Sequence, residues 1–104
     1  MASKGYWVAH IDVSDPETYK DYIAANAAVF RKFGGRFLVR GGVSETMEGR
    51  VRSRTVVIEF KDYATALACY RSPEYAKAIA IRKGASIGDF QVIEGYDGPQ
   101  PADG

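Results

Sequence analysis

Four strand-like segments and two helix-like segments follow one another along this chain in the order β-α-β-β-α-β. In the first segment, residues 6–13, every odd position is apolar, and the even positions include His10 and Asp12. An alternation with a period of two residues is typical of a β-strand. The other strand-like segments cover residues 37–40, 55–60 and 90–94. With right-handed crossovers this order predicts an α+β, ferredoxin-like fold, a four-stranded antiparallel sheet with both helices on one face.

Capping residues mark where the helices begin and end. Ser14 or Asp15 can cap the first helix, and Gly34 stops it. Asp62 can cap the second helix, but Ser72, followed by Pro and Glu, is itself a helix start. The second helical segment is therefore predicted to be kinked or split.

A chain of 104 residues fits one domain. We expect a single ferredoxin-like domain over residues 1–96 and a flexible tail over residues 97–104, which begins with turn-forming and polar residues. Between the second and third strands, residues 41–54 are mostly polar or Gly. They predict a long, mobile hairpin arm.

Composition limits the partners and the compartment. Lys and Arg number 14 against 13 Asp and Glu, so the charge balance favours neither nucleic acid nor an anionic membrane. The arginines at 50, 52 and 54 are opposed by two glutamates in the same arm and indicate a solvated or dimer-contacting arm. The lone Cys69 suits a reducing compartment and inert burial. Without a signal-like or membrane-length apolar run, the expected location is the cytoplasm.

Strand alternation assigns every strand side chain to one face of the sheet. The face toward the helices is predicted to carry Trp7, Ala9, Ile11, Val13, Phe37, Val39, Val56, Ile58, Phe60, Gln91 and Ile93. The opposite face is predicted to carry Tyr6, Val8, His10, Asp12, Leu38, Arg40, Val57, Glu59, Val92 and Glu94. This second face is too apolar for ordinary solvated surface, so we expect a homodimer packed sheet to sheet, with a cavity between the sheets.

The predicted outer face holds four ionisable groups that could form a catalytic site. His10 is the only imidazole in the chain and suits a general base. Arg40 could hold a carboxylate or enolate through its fork of donors. Glu59 and Glu94 could orient the imidazole or act as paired acid and base.

A structural interpretation of the same four residues stays open. His10 could simply be a strand histidine that is hydrogen-bonded to Glu59 or Glu94, and Arg40 a cross-strand or cross-dimer ion-pair partner. Helical aromatic residues such as Tyr22 and Tyr75 are usually core. Tyr22, Tyr75 and Arg82 nevertheless form a second candidate set, for ligand binding near a pocket mouth. One His with three scattered carboxylates does not make a common metal site, so no metal is expected.

Several motifs together carry a family resemblance: Lys4-Gly5-Tyr6-Trp7, the turn Val13-Ser14-Asp15-Pro16-Glu17, Tyr22, Arg40-Gly41-Gly42, Val57-Ile58-Glu59-Phe60, Ala68-Cys69-Tyr70-Arg71-Ser72-Pro73-Glu74-Tyr75, Arg82 and Glu94-Gly95-Tyr96. Over nearly its whole length the chain resembles the family named domain of unknown function 1330, in the dimeric α/β-barrel superfamily. The resemblance implies a ferredoxin-like fold and a face-to-face dimer, and it implies no activity. Related branches include cofactor-free monooxygenases, lactone isomerases and haem-degrading enzymes. Because the sole His lies on a strand, haem is disfavoured, and no cofactor is expected.

Two classes of function follow. The first is a small-molecule-binding protein acting as a cofactor-independent enzyme, which transfers a proton or adds oxygen to an activated organic acid or ketone in the inter-sheet cavity. The alternative is a non-catalytic homodimer that binds a metabolite or another protein.

Overall fold

The computed structural model describes residues 3–103 and contains one antiparallel sheet with strand order β2-β3-β1-β4. In chain order the elements are β1 (Gly5–Val13), α1 (Pro16–Phe33), β2 (Arg36–Arg40), β3 (Arg54–Phe60), α2 (Tyr63–Tyr70), α3 (Pro73–Arg82) and β4 (Ser86–Glu94), with a 3₁₀ turn at Pro101–Asp103. The predicted α+β ferredoxin-like fold is confirmed. No helix within the described residues is long and apolar enough to cross a membrane.

Helix α1 begins and ends at the predicted residues. The Asp15 carboxylate accepts a hydrogen bond from the backbone N–H of Thr18 at 3.2 Å, and Pro16 occupies the first turn, where a missing N–H costs nothing. Gly34 closes the helix in the left-handed conformation, with φ +71°. Within the helix, the polar Asn26 is buried, whereas its apolar neighbour Ala27 is exposed.

The second helical segment is split, as its sequence predicts. Ser72 lies at the break, where its hydroxyl accepts a hydrogen bond from Tyr75 N at 3.1 Å and donates one to Cys69 O at 2.8 Å. The same hydroxyl therefore starts α3 and satisfies a carbonyl at the end of α2.

Trp7 lies at the centre of the core. Its ring centroid is 4.9–5.6 Å from those of four aromatic residues in edge or tilted contact, which are Phe30, Phe60, Tyr70 and Tyr75. Its indole N–H donates a hydrogen bond to Ala66 O at 2.8 Å, so this buried donor has an acceptor. The core joins the three helices to one face of the sheet.

The face assignment is confirmed for β1 but wrong for β4. Val92 lies opposite Trp7 and Phe90 opposite Ala9, so Phe90 and Val92 pack toward the helices. Gln91 and Ile93 therefore point to the face away from the helices, called here the outer face. The strand begins four residues earlier than predicted, at Ser86, and its pairing with β1 decides which residues face inward.

Strand β2 contains an irregularity that sequence alternation does not foresee. Phe37 pairs with Ile58, but Val39 pairs with Val57 and Arg40 with Val56, a register shift between 37 and 39. This extra residue is a β-bulge. It moves Val39 to the outer face and Arg40 to the helix side, the reverse of the prediction.

Candidate functional site

A recess between α1 and the sheet forms a pocket, which we call the inner pocket. Together with its mouth it holds about 410 Å³ of space free of protein atoms, of which the centre of a water molecule can reach about 30 Å³. Its lining residues are Trp7, Ala9, Ile11, Tyr19, Tyr22, Ile23, Asn26, Phe30, Phe37, Arg40, Arg54, Val56, Ile58 and Phe90. The lining is mostly apolar and aromatic, with a few polar groups, which is typical of small-molecule sites.

Four of the polar lining side chains come from three different elements. Helix α1 contributes Tyr19 and Asn26, which are 5% and 6% exposed, because both lie on the helix face that packs on the sheet. Strand β3 contributes the half-buried Arg54, and β2 contributes Arg40. A hydroxyl, an amide and two guanidinium groups therefore converge on one recess.

Arg40 reaches the inner pocket only because of the β-bulge. In a regular strand it would share the face of Leu38, as the sequence predicts. The register shift pairs it with the inward-facing Val56 instead, and its guanidinium lies 4.4 Å from the centre of the Phe37 ring. The prediction that Arg40 and His10 share a face is therefore wrong, and no contact joins them.

Gly41 makes room for the second arginine. Its φ of +64° is in the left-handed region, and a Cβ at this position would collide with the Arg54 guanidinium. The backbone N–H of Gly41 is held by Thr55 O at 2.8 Å. Arg54 is consequently held between the backbone of the β2 end and the ring of Tyr19, whose centre is 5.9 Å away.

Tyr22, Tyr75 and Arg82, predicted from sequence as a ligand-binding set, are brought together at the side of this pocket. The hydroxyls of Tyr22 and Tyr75 are 2.6 Å apart in a buried hydrogen bond. The Arg82 guanidinium lies over Phe90 at 4.1 Å and near Tyr22 at 5.7 Å from the ring centres. Of the three, only Tyr22 lines the pocket directly, so Tyr75 and Arg82 support its wall.

Burial raises the pKa values of Tyr19 and Tyr75. Desolvation raises the pKa of Tyr75 far above its usual range, with a further rise from the neighbouring Tyr22. Desolvation and Tyr22 also raise the pKa of Tyr19 more than Arg54 lowers it. At neutral pH these hydroxyls are hydrogen-bond donors and acceptors, and they are not bases.

His10 faces the opposite side of the sheet, in an open groove of about 780 Å³ lined by His10, Asp12, Thr46, Gly49, Arg50, Val51, Arg52 and Asp89. We call it the outer groove. Its second wall is the arm, residues 41–53, which has no regular secondary structure. Arg52 fastens the arm by donating to Asp12 and Asp89, each at 3.0 Å, and Ser53 N donates to Asp12 at 2.9 Å. The partners of Arg52 are therefore two aspartates of the sheet, whereas the sequence suggested the glutamates of the arm itself.

The hydrogen-bond partner of His10 also differs from the sequence prediction. Its Nδ1 is 3.1 Å from the Thr55 hydroxyl, the residue opposite it in β3, and neither glutamate bonds to it. Glu59 lies on the outer face and accepts from the Tyr6 hydroxyl at 3.3 Å. Glu94 pairs with Gly5 and shares the face of Val92, because the true register of β4 reverses its assignment.

The four predicted catalytic residues therefore do not form one cluster. His10 and Glu59 lie on the outer face, whereas Arg40 and Glu94 lie on the other. Within residues 3–103, no three His, Cys, Asp or Glu side chains are grouped so that they could hold a metal ion. Cys69 is fully buried, and desolvation raises the pKa of its thiol to about 12, so it is inert as predicted.

Sequence reasoning missed three lining residues, Tyr19, Asn26 and Arg54. A signal was present for two of them. Asn26 is a polar residue within the apolar stripe of α1, and Arg54 has the inward parity of Val56 and Ile58 in β3. A polar residue at a core position needs a partner or a ligand, so both positions indicate a site.

The four-stranded antiparallel sheet with helices on one face places the protein among the ferredoxin-like α+β domains. Residues 4–96 match the family described as domain of unknown function (DUF1330). The chain belongs to this family. Among proteins with curated functions, none matches it.

Three solved structures show how widely the fold is shared. RPA0582 from Rhodopseudomonas palustris, of unknown function, is 16% identical with TM-score 0.69, covering 94% of this chain and 86% of that one. SnoaB from Streptomyces nogalater, a cofactor-independent oxygenase, is 16% identical with TM-score 0.63, covering 96% and 99%. A dimeric ferredoxin-like protein of unknown function from Thermobifida fusca is 13% identical with TM-score 0.56, covering 89% and 93%. At these identities the likeness is one of fold.

Proposed function

We propose that the protein binds a small organic molecule in the inner pocket. The observation that carries the proposal is the convergence of Tyr19, Asn26 and Arg54 on a recess whose other lining residues are mostly apolar. Apolar walls supply most of the binding free energy of a small ligand, and a few polar groups orient it. A core built only for stability would place apolar side chains at these positions.

A library of metabolites, screened by thermal shift, tests the proposal. A ligand at 100 times its Kd stabilises the folded state by about 2.7 kcal/mol, which is readily measured in a domain of this size. Trp7, the chain's one tryptophan, lines the same pocket, and its indole N–H signal reports binding there in an NMR spectrum. A true ligand shifts this signal.

A matched pair of variants separates pocket binding from surface binding. Asn26→Leu removes the buried amide from the pocket, whereas Ala27→Leu adds a similar side chain at the exposed neighbouring position. We expect the first to weaken binding at least tenfold and the second to leave it unchanged. Equal effects of the two variants, or hits that never move the Trp7 signal, would contradict the proposal.

A second candidate is cofactor-independent chemistry on an activated acid or ketone. Arg40 and Arg54 beside the pocket can stabilise the charge that develops on an enolate oxygen, and the oxygenase that shares the fold supports this class of reaction. Deuterium exchange at the carbon next to a bound carbonyl, followed by NMR, tests it. The lining contains no His, Asp, Glu, Lys or Cys, so binding is favoured over proton transfer by a pocket base.

The outer face supports a proposal about assembly. It exposes Val39, Ile87 and Ile93, which are 42%, 65% and 45% exposed, and the dimeric neighbour has the same fold. We place a homodimer interface there. The predicted cavity between two such sheets would contain His10, and a role for His10 and Glu59 in it stays a prediction.

A further inference from the structure

The inner pocket is positively charged. Arg40 and Arg54 are its ionisable lining residues besides the tyrosines, and no carboxylate lines it. The salt bridges found among residues 3–103 involve Lys20, Lys32 and Arg52, and none involves the pocket arginines. Guanidinium groups stay protonated at any physiological pH, so the lining contains two cations, the half-buried Arg54 and the exposed Arg40, and no carboxylate.

One of these cations has unused hydrogen-bonding capacity. The Nε–H of Arg54 is buried and has no hydrogen-bond partner among the described residues. The Nε–H of Arg82, behind the Tyr22 wall, is in the same condition. Buried hydrogen-bond donors normally have an acceptor. A donor on a charged group forms its strongest hydrogen bond with an anionic acceptor. A ligand carboxylate or enolate that entered the pocket would meet the Arg54 guanidinium.

The hydroxyls around the pocket are compatible with an anion. Because burial raises the pKa of Tyr19 and Tyr75, neither becomes a phenolate that would repel a negative ligand. Tyr19 can instead donate to it. The amide of Asn26 supplies a further donor from α1.

The walls of the pocket favour a flat ligand. Phe37 carries the Arg40 guanidinium on its face at 4.4 Å, and Phe90 and the Tyr19–Tyr22 pair, with ring centres 5.2 Å apart, form further aromatic walls. Aromatic rings pack well against other rings in stacked or edge contact. The centre of a water molecule can reach only about 30 Å³ of the pocket, which is room for a small anionic group such as a carboxylate. A ring attached to that group would therefore lie at the mouth.

We infer that the inner pocket takes a planar organic anion, a carboxylate or enolate conjugated with an aromatic or unsaturated ring, with Arg54 as its main charge partner and Arg40 at the mouth. This inference rests on the proposed function and adds the class of ligand. The ring lies at the mouth against the aromatic side chains there, and the anionic oxygens reach inward to Arg54 and the Tyr19 hydroxyl.

Two probes of the same shape test the charge requirement in the parent protein. We would titrate 2-naphthoate and the neutral 2-naphthamide, following the indole signal of Trp7 and measuring Kd by calorimetry. The expected result is a Kd for the carboxylate at least tenfold below that of the amide, with a difference that shrinks as salt is raised. Equal affinities would overturn the inference while leaving the proposed function intact.

Variants assign the charge to Arg54. Arg54→Gln should remove the preference for the carboxylate, and Arg54→Lys should retain part of it. Arg31→Gln, an equal loss of charge at an exposed position of α1, should retain all of it. A carboxylate preference that survives Arg54→Gln in a folded variant overturns the assignment. If neither probe moves the Trp7 signal, the inference fails, and the proposed function fails with it only if no library compound moves that signal.

Discussion

At the scale of single residues, the buried pair Tyr22 and Tyr75 shows how the pocket wall depends on one hydrogen bond. The two hydroxyls are 2.6 Å apart, and each is the partner of the other. Tyr75 is fully buried, and Tyr22 is 4% exposed. Loss of the Tyr75 hydroxyl therefore removes the hydrogen-bond partner of Tyr22.

We expect Tyr75→Phe to lower the free energy of unfolding by about 1–3 kcal/mol, since it strands a buried donor. The double variant with Tyr22→Phe should cost less than the sum of the two single variants, because it removes both polar groups together. Urea denaturation measures all three. Tyr63→Phe, at a partly exposed position of α2, is the control, and strictly additive losses would contradict the coupling.

The Asp12 carboxylate makes attachment of the arm dependent on pH. The backbone N–H of Ser53, and then the guanidinium of Arg52, hold the pKa of Asp12 below the 3.8 of an ordinary aspartate. A carboxyl whose pKa is lower in the folded state contributes its stabilisation above the unfolded pKa, and loses it as the pH falls through the folded pKa.

The arm should consequently stay attached from neutral pH down to about pH 4 and detach below it. The amide signal of Ser53, followed by NMR in an acid titration, reports the event, with a midpoint below 3.8. Asp12→Asn should abolish the transition. A midpoint above 3.8 would contradict this role of Asp12.

At the scale of elements, the break between α2 and α3 depends on Ser72. Its hydroxyl caps α3 and bonds to the last turn of α2. Ser72→Ala should therefore lower the free energy of unfolding by about 1–2 kcal/mol. Ser86→Ala is a matched control, because that serine is equally buried but makes one long bond of 3.4 Å to Arg82 O. Similar losses for the two variants would argue against the cap.

Helix ends were predictable from sequence, whereas the faces of two strands were not. A cap is a local feature, since Asp15 and Thr18 are three residues apart. The facing of β4 depends on its register against β1, about 80 residues away along the chain. The bulge in β2 depends on pairing with β3 across the arm. Arg40 and Glu94 were misplaced for this reason, and with them half of the predicted catalytic cluster.

At the scale of the whole molecule, the outer face decides whether the chain works alone. Val57 lies at its middle, paired with Val8 and Val39 of the neighbouring strands. Single exposed apolar side chains are ordinary, but a contiguous set of them marks an interaction surface. The proposed homodimer would cover this set.

Val57→Asp should shift the protein from dimer to monomer, because a carboxylate buried in the interface without a partner is costly. Light scattering after size-exclusion chromatography at micromolar concentration measures the mass. Ala27→Asp, which places the same charge on the exposed side of α1, should leave the dimer intact. A parent protein of one-chain mass would exclude the homodimer at this concentration.

The bulge in β2 also changes how the strand tolerates the loss of a residue. In a regular strand, one deletion reverses the facing of everything that follows it. In β2, the residues Phe37, Val39 and Arg40 already pair with three successive residues of β3, Ile58, Val57 and Val56. This stretch of β2 therefore has one residue more than the stretch of β3 with which it pairs. A chain lacking Leu38 should keep Arg40 in the inner pocket in an unbroken ladder, whereas one lacking Val57 should not fold. The lining of the pocket should therefore tolerate the loss of one residue at this point of β2.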